Sequence, residues 1–460
     1  MTTEISEDRP GLRFRHFLAL ALGGIIGVGW IAVAPAWVSE AGAIGASLAF
    51  LAAAFLLLPV GIAYARLAHR YPHNGGAVIY AEKFLGSFSA YLVGHLVLLS
   101  FLSAIVYFSI LLSELVGQVF SLDTSTQLLE AWRAPAGWLT VLCITGLLAY
   151  VNFRGSRTSA GIQVIALSLL IIGCLIFAVY GFIAGTPNRI HEATPSVAGL
   201  SFGGFLAVFM VAPWFLSGFE SIAQVVGERS STLNARRIAQ VIATAIFGAC
   251  LFYVIIISAT ASLAVTYDTS LEGFALLDLV SQVSSTPFLN LVILGMGVLG
   301  VLTGWNAYIN SCLRTFEVMA DRGFLPSAFN RNAEGTSSIL ALFVVSACPL
   351  IGLGLGIDRL DPVLEAGSLS VVALFFVVCL SFLKAQRKWN GEPSSQRYRL
   401  LMPVMSVAIT LLFLVVVAFV PIIEYGGLPP QWICMLILSA AALLHFIVFI
   451  RNRGAVHVGS

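Results

Sequence analysis

The feature that most constrains this chain is the recurrence of long runs free of Asp, Glu, Lys and Arg. Twelve such runs of at least 18 residues occupy 16–39, 41–65, 84–113, 134–153, 158–188, 193–219, 238–267, 279–313, 335–357, 366–383, 400–423 and 425–450. Hydrocarbon offers no partner to a backbone N–H or C=O, so a chain that enters it forms helices or a closed barrel. Each run can hold a spanning helix of about 20 residues; barrel strands would read as weaker alternating segments of about ten residues. Only 10% of the residues are charged and mean hydropathy is +0.96, whereas a soluble domain has about 25% charged residues. The expected fold class is an all-α membrane protein with twelve transmembrane helices, its surroundings the lipid bilayer.

The few charges orient those spans. With the N-terminus in the cytoplasm, the outer loops hold Arg133, Arg189 and Arg359, and the other 21 of the 24 Lys and Arg fall inside. Asp123, Asp268, Glu272, Asp358 and Glu424 lie outside. Such an excess of inner Lys and Arg predicts a multi-pass protein of the cytoplasmic (inner) membrane with both termini cytoplasmic. The tails are 1–15 and 452–460. The first run reads as an uncleaved signal anchor. All seven cysteines lie within the apolar runs, which suggests no disulfide framework. No Cys/His cluster has metal-site spacing, and neither a basic tract of nucleic-acid type nor a Walker lysine loop is present. No cofactor, metal or nucleic acid is expected.

Two of the spans are interrupted. Leu20 to Pro35 reads L-A-L-G-G-I-I-G-V-G-W-I-A-V-A-P, and each of its four glycines weakens a helix by about 1 kcal/mol relative to alanine. Small residues at this spacing also serve close helix packing. A second interruption, A-P-W-F-L-S-G-F-E-S from Ala212 to Ser221, falls in span 6, where Pro213 removes a backbone donor. Broken helices at matching positions of two five-helix units point to a binding site at a repeat interface, as in secondary transporters. The polar groups inside span 3 are His95, Ser103 and Tyr107; packing or interfacial roles suit His95 and Tyr107, and both are candidates for the site as well. In span 8, Trp305 shares a helix face with Tyr308, and Asn306 with Asn310. The stretch His69–Tyr80, with Pro72 and Gly75-Gly76, reads as a turn.

Four motifs taken in order resemble the amino acid–polyamine–organocation (APC) superfamily of transporters. They are I-I-G-V-G-W (Ile25–Trp30), Y-A-R-L…P-H-N-G-G-A-V-I-Y (Tyr64–Tyr80), S-G-F-E-S (Ser217–Ser221) and R-T-F-E-V-M-A-D-R-G-F-L-P (Arg314–Pro326). The resemblance runs from about Leu20 to Lys388 and implies the leucine-transporter fold. Inverted repeats would cover 16–185 (helices 1–5) and 186–390 (helices 6–10), with helices 11–12 peripheral at 391–451. It implies that an amino-acid carboxylate meets backbone amides at Gly27, Val28 and Gly29. The amino group would face carbonyls of Ile25, Ile26, Trp214 and Ser217. Trp30, Tyr107, Gly218, Phe219 and Tyr308 are further substrate-side candidates. Trp214 would stack on substrate, or else serve bundle packing.

Three departures separate the chain from that pattern. Val28 stands where Ser or Thr is common, and Arg66 where Glu is usual. The helix-5 lysine that occupies a sodium-like position in some relatives should fall near Leu170 and is absent. A sodium-like site between helix-1 carbonyls and helix-8 side chains would draw on Thr303, Asn306 and Ser311. Glu220, an acid abutting a span interior, is the coupling candidate, because an intramembrane acid costs at least ~2.5 kcal/mol on insertion scales. The expected function is secondary active transport of an amino acid, neutral or hydrophobic in the first instance and cationic or a polyamine in the second. Proton coupling or exchange is favoured over sodium. A transport-dead sensor on the same scaffold is the alternative of another class; a membrane enzyme would need a catalytic constellation that is not visible.

Overall fold

The computed structural model describes residues 11–121, 127–184, 201–263, 276–277, 279–280, 287–331, 336–356, 359–388, 396–425, and 427, 429 and 432. Thirteen α-helices carry these residues: α1 (Phe14–Ile26), α2 (Trp30–Arg70), α3 (Gly76–Leu85), α4 (Ser87–Ser121), α5 (Gln127–Phe153), α6 (Ser156–Ala184), α7 (Phe202–Phe215), α8 (Ser221–Val225), α9 (Ala235–Leu263), α10 (Pro287–Asp321), α11 (Ile339–Leu355), α12 (Leu360–Lys388) and α13 (Gln396–Tyr425). Among the described residues the only β-type pairing is an isolated bridge between Leu12 and Arg229.

Eight of the helices, α2, α4, α5, α6, α9, α10, α12 and α13, are long and apolar enough to cross a membrane. The helices α1, α7 and α11 are apolar but shorter. Spans 1 and 6 are divided, and the second half of span 1 runs into span 2 within α2. Span 12 apart from 425, 427, 429 and 432, the 452–460 tail and the loop charges Asp123, Arg189, Asp268, Glu272 and Asp358 lie outside the described residues.

The junction inside α2 is a reversal. Gly42 takes φ 68°, ψ 169° in the middle of this 41-residue element. Thirteen residues of straight helix would separate Trp37 from Phe50 by about 20 Å, yet their ring centroids are 4.8 Å apart. The two segments therefore fold back against one another. Trp37 also meets Phe215 at 4.8 Å, and Phe50 stacks on Tyr253 at 4.7 Å. One aromatic cluster thus joins both arms of α2 to α7 and α9.

The His69–Tyr80 stretch is only partly a turn. Gly75 sits in the left-handed region at φ 65°, and α3 begins directly after it. Ala77 to Ala81 are buried. An apolar run with a packing surface continues as helix once the glycine has redirected the chain, and this outweighs the turn signal.

Packing puts α1 at the centre, against α6, α9 and α10, while α4 lies on α5, α10 and α12. At one end of the bundle two arginines alternate with two glutamates. Arg314 lies 2.8 Å from Glu228 and 2.6 Å from Glu317, and Arg331 lies 2.8 Å from each. The chain before α1 joins the same place: the Leu12 N–H donates to the Glu228 carbonyl at 2.8 Å, and the Ser230 N–H to the Leu12 carbonyl at 2.9 Å. Arg66, which stands where the resemblance expects an acid, is exposed outside this cluster.

Candidate functional site

The first interruption spans Gly27 to Gly29, between the end of α1 and the start of α2. Gly27 adopts φ 48° and its N–H still reaches the Gly23 carbonyl at 3.3 Å, the last helical bond of α1. New turns begin when the Ile31 N–H bonds to Val28 O at 3.1 Å and the Ala32 N–H to Gly29 O at 3.2 Å. The glycines are needed for space. A Cβ on Gly27 would stand 2.6 Å from Phe108, and one on Gly29 would stand 3.0 Å from Phe215 and 3.3 Å from Tyr107. Val28 is fully buried.

The second interruption runs from Leu216 to Glu220, between α7 and α8. Gly218 takes φ 122°, and a Cβ there would lie 2.6 Å from the Gly24 carbonyl carbon and 2.7 Å from the Ile25 nitrogen. The second break thus lies backbone to backbone against the last turn of α1, which leads into the first. Ser217 donates its hydroxyl to Trp214 O at 2.6 Å, and the Gly218 N–H donates to Glu220 Oε2 at 2.7 Å. Glu220 is 1% exposed. Its carboxylate closes the turn from inside, so this break carries its own acceptor.

The carbonyls at the end of α1 are served by other helices. Tyr308 of α10 donates to Gly24 O at 2.6 Å. Tyr253 of α9 donates to Ile25 O at 2.9 Å and lies 3.4 Å from Ile26 O. Ile25 O, expected to face a ligand, therefore already accepts one hydrogen bond from the protein and retains a second lone pair, whereas Trp214 O, expected to do the same, accepts both the Ser217 hydroxyl and the Ser217 N–H, the latter at 3.0 Å. Sequence reasoning missed Tyr253. A hydroxyl-bearing aromatic in an otherwise apolar span was the available signal.

The structure brings some candidate side chains to the breaks and sends others elsewhere. Tyr107 and Tyr308 converge there, with Phe108 between them at centroid distances of 6.1 and 5.9 Å. The Trp30 indole is turned to Phe252 of α9 at 5.5 Å. Phe219 stacks on Phe375 of α12 at 5.4 Å and meets Tyr64 edge-on at 5.8 Å. Trp214 is partly buried and its ring lies against Gly367 of α12. His95 bonds through Nδ1 to its own helix at Tyr91 O, 2.9 Å away, the geometry of a packing residue.

The three side chains of the sodium-like candidate do not form one ligand set. Thr303 and Ser311 are eight residues apart on α10, about 12 Å along a helix. Each hydroxyl donates within its own helix, to Gly300 O at 3.0 Å and Ala307 O at 2.9 Å. Asn306 belongs to a buried polar cluster with Asn152 of α5 and Ser159 and Gln163 of α6, at 2.6 to 3.0 Å between side chains. The α6 residue that reaches α1 and α10 is Gln163, two helical turns from Leu170.

Comparison with known proteins gives a consistent picture. A family model described as amino acid permease matches residues 12–442. The amino-acid permease RocC of Bacillus subtilis is 24% identical over 85% of this chain and 84% of its own length. The amino-acid permease RocE of the same organism is 21% identical over 93% of both chains. The amino-acid permease inda1 of Hypocrea atroviridis is 22% identical, covering 83% of this chain and 68% of its own.

Proposed function

Since this chain belongs to the amino acid permease family, an integral-membrane family of transporters rather than enzymes, we propose that it is a secondary active transporter working by alternating access across the cytoplasmic membrane. Its substrate in this reading is a neutral, hydrophobic amino acid, moved with a proton or by exchange. The observation that carries the proposal is the close approach of the second helix interruption to the last turn of α1, which leads into the first, Gly218 against Gly24, with positive φ at Gly27 and Gly218. Interrupted helices leave backbone groups at mid-depth, and such groups are tolerated where protein or a polar ligand meets them.

The substrate carboxylate is assigned to the Gly27, Val28 and Gly29 amides at the start of α2, a helix end with partial positive charge. Ile26 and Ser217 offer carbonyls for the amino group, together with the second lone pair of Ile25; Trp214 O is already held by the hydroxyl and the N–H of Ser217. Tyr107 and Tyr308 line the same region. Glu220 is the one acid at the breaks; its bond to Gly218 couples its charge to the backbone of the second break, as a proton-carrying group requires. The low charge of these surroundings supports a substrate without an ionic side chain, since a second cationic group would need an acidic partner. We read 16–185 and 186–390 as the two repeats and 391–451 as peripheral, with both termini in the cytoplasm.

Purified protein in liposomes, offered labelled amino acids and amines with and without pH and sodium gradients, tests this reading. Accumulation of a neutral amino acid driven by a pH gradient, or counterflow without any gradient, is the expected result. Glu220→Gln keeps an acceptor for the Gly218 N–H; it should lose the pH-driven mode and keep exchange. A strict sodium requirement, or undiminished pH-driven accumulation in that variant, overturns the coupling assignment. For orientation, single cysteines at Asp268 and Glu424 should react with an impermeant reagent from outside, and one at Lys388 should not.

A further inference from the structure

Among the described residues, buried polar side chains without a protein partner gather around α8. Ser221 and Gln224 of that helix are 2% and 0% exposed, and neither the Ser221 hydroxyl nor either end of the Gln224 amide makes a hydrogen bond. The hydroxyls of Tyr64 on α2 and Tyr80 on α3 are buried and unpartnered as well, and so is Nη1 of Arg229, just past α8. Buried polar groups are nearly always satisfied, and a fully buried amide with neither end bonded is costly. Gln224 lies one turn beyond Glu220 on the same helix face.

These groups form a series that starts at Glu220. The Tyr64 ring meets Phe219 at 5.8 Å and Phe375 at 6.0 Å, and its hydroxyl is close enough to Glu220 and to Tyr80 to feel both. A Cβ on Gly76 would stand 2.6 Å from the Tyr80 hydroxyl oxygen and 2.5 Å from Ala223 O, so that hydroxyl lies beside the backbone of α8. The Gly75 N–H donates to Gln224 O at 2.8 Å and holds the start of α3 there. Tyr80 in turn neighbours Arg229, and Arg229 neighbours His69, which is exposed at the end of α2. Two further titratable groups face this region. Tyr308 of α10 also feels Glu220 but gives its hydrogen to Gly24 O, and Cys379 of α12 lies near Tyr64.

We infer that this series is the route by which a proton passes between Glu220 and the cytoplasm. Tyr64, Ser221, Gln224 and Tyr80 hold a short file of water, since a buried water bonds about three polar groups. Hydroxyls and water both donate and accept, which is what a relay requires. The protonated Glu220 carboxyl gives up its proton and is left as carboxylate. Each water or hydroxyl accepts one proton on a lone pair and passes another on, so hydronium emerges on the cytoplasmic side and no member of the file is changed. Gln224 is a positioning residue for that water. Arg229 stands at the mouth, where a fixed positive charge discourages hydronium from resting. The inference rests on the reading of Glu220 as the coupling group and adds where its proton goes.

Two measurements on the full-length protein test the route. Hydroxyl-radical labelling by X-ray pulses oxidises a buried side chain where water lies against it, and so reads hydration without any transport assay. Tyr64 and Tyr80 of the wild type should be oxidised, while Tyr253, equally buried but bonded to Ile25 O, should stay protected. Transport in liposomes reads the proton. Tyr64→Phe and Gln224→Leu should lose pH-driven accumulation and keep counterflow, a split that a merely structural role would not produce. Protection of either Tyr64 or Tyr80 in the wild type overturns the route. So does undiminished pH-driven accumulation in both variants, or a loss of counterflow equal to the loss of the pH-driven mode. If the variants cannot be recovered, the labelling decides alone. Full pH-driven accumulation in Glu220→Gln would instead remove the coupling group itself, and the proton role of the file with it. Loss of that mode in Glu220→Gln, with none in Tyr64→Phe and Gln224→Leu, overturns the route and leaves the coupling assignment standing.

Discussion

The two helix interruptions, the second packed on the turn of α1 that leads into the first, are built differently. The first, at Gly27–Gly29, has no polar side chain of its own, and the carbonyls that lead into it are held by Tyr308 and Tyr253 from α10 and α9. The second, at Leu216–Glu220, is closed by Ser217 and Glu220 from within. A break supported by other helices changes whenever those helices move. A self-closed break moves as a unit. The difference makes the first the natural reporter of helix rearrangement and the second the natural carrier of charge.

Substitutions can break this comparison at graded strength. Gly218→Ala should act most strongly, since it affects the second break and the turn of α1 that leads into the first: the torsion alone costs more than about 1 kcal/mol, and the new Cβ meets the backbone of α1 rather than a movable side chain. The expected outcome is a lowered unfolding temperature together with loss of amino-acid binding, read by thermal unfolding and by scintillation proximity. Gly29→Val should be next. Its added atoms meet the rings of Phe215 and Tyr107, which can shift, so the protein should still insert and unfold cooperatively while binding is lost. Glu220→Ala strands a buried N–H at Gly218, a loss of about 1–3 kcal/mol, visible in stability even without substrate; Glu220→Gln should restore it. The smallest effect belongs to Tyr253→Phe, which leaves the Ile25 carbonyl with one partner fewer. About 1 kcal/mol, or roughly fivefold in affinity, is expected. If Tyr253→Phe proved as damaging as Glu220→Ala, the distinction between borrowed and internal support would fall.

Both breaks were legible in the sequence because glycine and proline act locally. Four glycines within seven residues and Pro213 ahead of Ser217-Gly218 weaken a helix whatever surrounds it. The partners of the breaks were not legible. Tyr253 lies 228 residues from Ile25, and no local pattern indicates which face of α9 it occupies. The α6 position facing α1 shows the same limit: Leu170 and Gln163 are seven residues apart, two turns on one helix face, and only tertiary packing decides which of them meets Thr303. The α3 helix was misread for the opposite reason, because the glycines at its start are conspicuous and the buried apolar run behind them is not. Trp30 and Phe219 flank the breaks in sequence, yet their rings pack on Phe252 and Phe375.

The reversal at Gly42 has a consequence for how the protein enters the membrane. Between His16 and Ala65 the chain carries a single formal charge, Glu40. Straight, the 41 residues of α2 would extend about 60 Å, twice the thickness of the hydrocarbon core. Hydrophobicity alone cannot tell the insertion machinery where such a segment should turn. One backbone torsion at one glycine, beside one acid, makes it a helical hairpin, and a hairpin can partition into lipid as a unit once both arms have been synthesised. The order of events in biogenesis would then be written at Gly42, well before any substrate is met.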